Sequence, residues 1–453
     1  VTTPVQATRD VPEFPHGFEW GAATAAYQVE GASAARGRSI WDGFCAQPGR
    51  VKDGGSGEVA CDFYHRYPED VGLMARLGLS GFRFSLSWPR IQPGGTGAPD
   101  PAGLDFYDRL VDSLLGAGIA PLPTLYHFDL PQELEDAGGW LERDTAERFA
   151  DYTRIALDRL GDRVPRWITL NEPFVHMAYG YAFGVHAPGR ALLLDALPAA
   201  HHQLLAHARA AAVLRAGGAE ALLANNCTPV VPASDSPDDV AAAAAYDNLH
   251  NRLFLDPVLL GRPPDLSAYG ASVPEFPGED LAAIEGSADG LGVNYYNPTL
   301  VAAPGPGDGL PFALPDYAAH VEGTPVTGFG WPVVPDGLPD LLARLRDRYG
   351  AALPPLRITE NGCSYPDRPD AGGAFTDRER IAYLDGHLRA LAAAIADGAD
   401  VRGYYTWSLI DNFEWAEGYT QRFGLVHVDF ATQRRTPRAS FHWYRDWIRA
   451  AAR

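Results

Sequence analysis

Ile168-Thr169-Leu170-Asn171-Glu172-Pro173 is a short apolar run that stops on an amide and a carboxylate, and Arg357-Ile358-Thr359-Glu360-Asn361-Gly362 repeats the arrangement much later in the chain. Each reads as a β-strand, Trp167–Leu170 and Leu356–Thr359, followed at once by polar side chains that a core would not hold. Working outward from these two, six further β-prone runs are Glu19–Ala23, Gly81–Ser85, Ala120–Thr124, Ala221–Asn225, Gly290–Asn294 and Arg402–Trp407. Amphipathic helical stretches separate several of them. Leu104–Leu115 carries apolar residues at Leu104, Tyr107, Leu110, Val111, Leu114 and Leu115, and Thr145–Leu160 has the same character. Eight strand–helix alternations predict a parallel (β/α)8 barrel, an α/β fold whose active site lies at the C-terminal face of the strands.

A chain of 453 residues would ordinarily divide into domains. Barrels of this class run long as one unit. The Pro/Gly-rich stretches Gln92–Pro101, Ala302–Pro315 and Pro366–Gly373 are short and lie between regular patterns, so they read as loops. The alanine run Ala241–Ala245 suits a helix. The expectation is a single catalytic domain over residues 1–453, with 1–12 as a peripheral tail.

The net charge is −20, and Lys52 is the sole lysine. An acidic chain without basic runs is a poor partner for nucleic acid or anionic membranes. Cys45, Cys61, Cys227 and Cys363 form no C-x-x-C pair and no zinc-spaced cluster with histidine. They read as reduced thiols, although Cys45 and Cys61 are close enough in sequence to pair in an oxidising compartment. VTTPVQATRD has no basic patch followed by an apolar stretch, so it does not read as a signal peptide. No apolar run reaches membrane-spanning length. A cytoplasmic location is expected.

In a (β/α)8 barrel the strand ends meet at one face. Strand two ends in Arg83, Ser85 and Trp88, and strand three runs into Tyr126, His127 and Asp129. Strand six ends in Asn294, Tyr295 and Tyr296, and strand eight runs into Trp407, Asn412, Glu414 and Trp415. With Asn171, Glu172, Glu360 and Asn361 these residues predict a cup of carboxylates, amides, imidazole and indole. Such a cup suits sugars: planar donors and acceptors for hydroxyls, aromatic faces for ring carbons. A lone strand-end glutamate is as often a helix cap or an arginine partner. Two in one pocket cannot both ionise freely, so one stays protonated near neutrality. That division is what glycoside cleavage requires.

Longer motifs sharpen the reading. Phe14-Pro15 and Phe18-Glu19-Trp20-Gly21-Ala22-Ala23-Thr24-Ala25-Ala26-Tyr27-Gln28-Val29-Glu30-Gly31 open the chain. Asn171-Glu172-Pro173 and Thr359-Glu360-Asn361-Gly362 follow. Trp407-Ser408-Leu409-Ile410-Asp411-Asn412-Phe413-Glu414-Trp415 and Arg422-Phe423-Gly424-Leu425 close it. In this order they resemble glycoside hydrolase family 1, the β-glucosidase family, over almost the whole chain. The resemblance implies a (β/α)8 barrel and cleavage with retention of configuration at β-glucosides and cello-oligosaccharides, with no metal or cofactor. It implies Glu172 as acid/base and Glu360 as nucleophile. It implies that Gln28, His127, Asn171, Glu414 and Trp415 hold the hydroxyls of the non-reducing sugar, that Trp407 stacks beneath it, and that Phe423 joins this set. Asn294 and Tyr296 would lie near the nucleophile, and Arg83 would steady its charge.

Two positions depart from the family's common pattern. Phe128 follows His127, and Phe174 follows Glu172-Pro173, where tryptophan is frequent. Phenylalanine keeps an apolar face and loses the indole N–H. On the aglycone side Trp331 then reads, beside Phe174, as the main platform. The Glu414-Trp415 pair, with Gln421 rather than lysine before Arg422, argues against a 6-phospho-β-glycosidase, since a carboxylate there repels phosphate. A β-galactosidase or β-fucosidase stays open as an alternative. A non-catalytic sugar-binding barrel would be expected to have lost one of the two glutamates.

Overall fold

The computed structural model describes residues 11–270, 276–307, 309–366 and 368–451. Eight strands close into a barrel: β1 (Glu19–Ala23), β2 (Gly81–Ser85), β3 (Ala120–Tyr126), β4 (Arg166–Asn171), β5 (Glu220–Asn226), β6 (Gly290–Asn294), β7 (Leu356–Asn361) and β8 (Val401–Trp407). Neighbours follow chain order, β1 pairs with both β2 and β8, and every pairing is parallel. Parallel strands covered on both faces need no polar side, which is why they read as plain apolar runs. All residues of β2, β6 and β7 are buried.

Helices pack around the outside. Pro101–Gly116 buries Phe106, Tyr107, Leu110, Val111 and Leu114, and Asp100 caps its start by accepting from the Ala102 N–H at 2.9 Å. Asp144–Leu160 buries Phe149, Tyr152 and Leu160. The alanine run Ala241–Ala245 lies within the helix Pro237–Asp247. Of the expected tail, residues 1–10 fall outside the described residues, and Val11 already packs against the core.

The two ends of the barrel differ. At the N-terminal end, Glu19 of β1 accepts from Arg357 at 2.9 Å, Arg166 at 2.8 Å and Tyr405 at 2.9 Å. Gly21 makes room for this plug, since a Cβ there would fall 2.2 Å from the Tyr405 ring. At the C-terminal end the loops spread. Val230–Pro232 and Thr299–Val301 pair as a small parallel sheet that raises one wall of the opening. The strands Val426–Asp429 and Arg434–Pro437 form a hairpin after β8. Among the described residues, no helix is long and apolar enough to cross a membrane.

Candidate active site

The loops after the strands enclose a cavity of about 430 Å³ at the C-terminal face. Three residues on its wall have left-handed backbones without being glycine: Phe128 (φ 71°), Glu172 (φ 44°) and Trp415 (φ 46°). Such backbones cost about 1–3 kcal/mol each and persist where the surroundings impose them. At Glu172 the turn carries the chain from β4 into Pro173 and a π-helical stretch, His176–Ala182. At β7 the constraint is space, because a Cβ on Gly362 would sit 1.7 Å from the Trp407 carbonyl oxygen. Asn361 ties that end down. Its Nδ2 donates to the Tyr295 carbonyl, and its Oδ1 accepts from Tyr404, each at 2.8 Å.

Glu360 and Glu172 project into the cavity from β7 and from the end of β4, and their surroundings differ. Glu360 Oε1 accepts from Arg83 Nη1 at 2.5 Å, and Oε2 accepts from the Tyr296 hydroxyl at 2.7 Å. This ion pair is buried on both sides. Glu172 Oε1 accepts from Asn294 Nδ2 at 2.8 Å and Asn226 Nδ2 at 3.3 Å. Burial, then the negative charge of Glu360, pushes the Glu172 carboxyl up to about 8. Two neutral amides do not offset that.

A chain of amides joins the pair. Asn294 Nδ2 also donates to Asn171 Oδ1 at 3.0 Å, and Arg83 Nη2 donates to the same oxygen at 2.5 Å. Thr359 donates to Asn294 Oδ1 at 2.6 Å and so fixes which end of that amide faces Glu172. With Oδ1 occupied, Asn171 turns Nδ2 to His127 Nε2 at 2.9 Å. His127 must accept there, so its proton is on Nδ1, which has no protein partner among the described residues. Burial pulls the His127 pKa well below its ordinary value, and the ring is neutral.

The His127 ring lies roughly parallel to Trp407 and Trp415, with centroids 5.9 Å from each. Gln28 Nε2 donates to the Phe413 carbonyl at 2.8 Å, to Asn412 at 3.1 Å and to Glu414 at 3.4 Å, while its Oε1 has no protein partner among the described residues. Burial, then the charges of Glu360 and Glu172, pushes Glu414 up to about 8. On the opposite side Trp331 stacks on Phe329 at 4.3 Å and meets Tyr296 edge-on at 5.1 Å. Phe174 packs on His250 at 4.0 Å.

Glu172, Glu360, His127, Tyr296, Trp407, Glu414, Trp415, Phe423, Phe174 and Trp331 all line the cavity. Gln28, Arg83, Asn171 and Asn294 sit behind its wall, each bonded to a residue that lines it. Several strand-end residues expected in the cup belong elsewhere. Trp88 is fully buried in the outer core, stacked on Tyr152 at 4.9 Å. Tyr295 donates to the Val334 carbonyl at 2.6 Å, and Asn412 donates to Ser408 at 3.0 Å. Asp129 is buried with the charges of Glu30 and Arg36 nearby. Cys45 and Cys61 are both free thiols, one facing Tyr27 and the other the Asp411 carbonyl. The sequence reading missed Asn226, which ends β5 one residue past the expected strand, and His250, which lies in a π-helical turn. An amide at a strand end was the available signal for Asn226. Among the described residues no group of metal-ligating side chains forms a metal site.

Residues 11–452 match the family described as glycosyl hydrolase family 1. The chain is 51% identical to thermostable β-glucosidase B of Thermobispora bispora, over 96% of this chain and 90% of that protein. It is 43% identical to a bifunctional β-D-glucosidase/β-D-fucosidase of Bifidobacterium breve, over 96% and 98%. It superposes on the family 1 β-glucosidase of Thermotoga maritima in complex with isofagomine lactam with a TM-score of 0.92 at 41% identity, covering 98% of this chain and 100% of that one.

Proposed function

The chain belongs to glycosyl hydrolase family 1, and we propose from this that it acts as one catalytic unit that hydrolyses terminal β-D-glucosyl residues from β-glucosides and short cello-oligosaccharides with retention of configuration. The observation that carries the reading is the unequal treatment of two carboxyls in one cavity. Glu172 is a protonated acid at neutral pH, and Glu360 is ion-paired with Arg83.

The proton of Glu172 passes to the departing aglycone oxygen as the anomeric C–O bond breaks and Glu360 attacks the anomeric carbon. The ionised Glu172 then takes a proton from water, whose oxygen displaces Glu360 and frees the sugar. Tyr296 and Arg83 hold one oxygen of Glu360 each, so the nucleophile keeps its aim through both steps. Among the described residues His127 Nδ1–H and Gln28 Oε1 have no protein partner, and they supply a donor and an acceptor for sugar hydroxyls; Glu414 adds a carboxyl, and Trp407 offers an aromatic face. The free thiols fit action in a reducing compartment such as the cytoplasm.

Activity depends on Glu172 staying protonated, so kcat/KM is expected to fall above about pH 8. That limb belongs to the Glu172–Glu360–Glu414 set rather than to one group. A 2-fluoro-glucoside trap followed by peptide mapping tests the assignment. The label is expected on Glu360, and a label elsewhere overturns the reading.

A second reading is favoured by the Bifidobacterium breve relative: acceptance of β-fucosides beside β-glucosides. A phosphorylated glycone has less support. Arg422 is engaged by Asp411 at 3.1 Å and the Val428 carbonyl at 2.8 Å, and Lys52 is paired with Glu417 at 2.8 Å. A panel of glucoside, fucoside, galactoside and 6-phosphoglucoside separates these readings.

A further inference from the structure

His250 lies in the π-helical turn Asn248–Arg252, next to the aglycone half of the cavity. The turn is clamped to the segment after β5, because Asn251 donates to the Thr228 carbonyl at 2.9 Å and accepts from its N–H at 3.2 Å. His250 Nε2 stands 3.0 Å from both the backbone carbonyl and the side-chain oxygen of Asn226. A carbonyl oxygen accepts only, so Nε2 carries the ring proton. Nδ1 is then an acceptor, and the Tyr246 hydroxyl donates to it at 3.0 Å. Burial pulls His250 down to about 4, which keeps the ring neutral at working pH.

The direction of every bond in this relay is therefore fixed: Tyr246 to His250, His250 to Asn226, and Asn226 Nδ2 to Glu172 Oε1 at 3.3 Å. Asn294 donates to the same oxygen at 2.8 Å. An oxygen that receives two N–H groups is a poor place for a proton. We infer that His250 is a positioning residue for the acid: it turns the Asn226 amide so that Glu172 Oε1 is capped and the transferable proton is confined to Oε2. The inference rests on the reading of Glu172 as acid/base. In the step it serves, the proton leaves Oε2 for the aglycone oxygen, which keeps the electron pair of the broken C–O bond. The ring also packs on Phe174, one of the positions where the family commonly has tryptophan.

The test uses aryl β-glucosides of similar shape, graded in the acidity of the departing phenol. His250→Phe keeps the ring against Phe174 and removes the donor. Its kcat/KM is expected to stay within about twofold of the parent for dinitrophenyl glucoside, which departs without protonation, and to fall about tenfold for the least acidic phenol. His250→Gln, which retains an N–H, is expected to recover part of that loss. A uniform loss across the series would assign His250 a structural or binding role and overturn the inference, as would no loss anywhere. Glu172→Gln is the control. It should show the same selectivity far more strongly, and if it does not, the acid assignment itself has failed.

Discussion

Glu19 and Glu172 lie at opposite ends of one barrel, both largely withdrawn from water, and their protons behave in opposite ways. Burial alone raises both. At Glu19 the Arg357 and Arg166 guanidiniums outweigh burial and hold the carboxyl below its ordinary value. At Glu172 the neighbours are two amides and another carboxylate, and the value climbs to about 8. The N-terminal end is thus built for stability and the C-terminal end for reactivity, from the same side chain. What differs is the charge placed beside it, and Arg83 shows how local this is. It pairs directly with Glu360 and only partly offsets the rise at Glu172, whose hydrogen-bond partners are neutral amides.

The contrast can be broken most sharply by removing one carboxylate at each end. Glu360→Ala removes the carboxylate proposed as nucleophile and is expected to lower kcat by about 10⁴-fold or more while the fold persists. Glu19→Ala does the reverse. It strands the buried Arg357, while Arg166 keeps Glu220, and is expected to cost about 2–3 kcal/mol in denaturant unfolding, with kcat nearly unchanged. Comparable losses of activity in both variants would dissolve the division between the ends.

Protonation linkage sharpens the same contrast at smaller scale. The folded pKa of Glu172 lies above its unfolded value, so between about pH 4.5 and pH 8 the folded state binds the extra proton and this group erodes stability as pH rises. For Glu19 the folded value is depressed, so its contribution is present above the unfolded pKa and is lost as pH falls through the folded one. Glu172→Gln is therefore expected to gain on the parent by about 2–3 kcal/mol from pH 5 to pH 7. Glu19→Gln is expected to be closest to the parent in strong acid. Thermal midpoints across this range would expose either sign being wrong.

The barrel was legible in the sequence because parallel strands buried on both faces carry a continuous apolar signal. Strands β1, β2 and β6 begin and end where the runs predict. The expected runs stop short in β4 and β7, which continue through Asn171 and Asn361, where the ladder still pairs them with Ala224 of β5 and Thr406 of β8. The two glutamates of the cavity were legible for the same reason, as polar residues ending apolar runs. Which way a strand-end side chain points was not. The ladders shift register between Ile168 and Asn171 and between Val293 and Asn294, and such irregularities re-aim side chains that strict alternation would place elsewhere. The left-handed turns at Phe128, Glu172 and Trp415 carry no glycine to announce them. His250 is a lone histidine in an irregular turn, with nothing in its neighbours to distinguish it.

The smallest expected effect lies within the reactive end. Phe128 is buried between His127, His176 and Trp415, stacked on His176 at 5.5 Å with the rings 10° apart. Its ring reaches the cavity without offering a donor. The neighbouring His127 Nδ1, by contrast, has its direction and its proton fixed by the bond that Asn171 makes to Nε2. Phe128→Trp adds an indole N–H at a position already turned toward the site. One further hydrogen bond in a buried pocket is worth about 1 kcal/mol, so KM for an aryl β-glucoside is expected to fall about fivefold with kcat unchanged. A rise in KM together with a lower thermal midpoint would mean that the phenyl ring's stacking on His176, rather than its lack of a donor, governs this position.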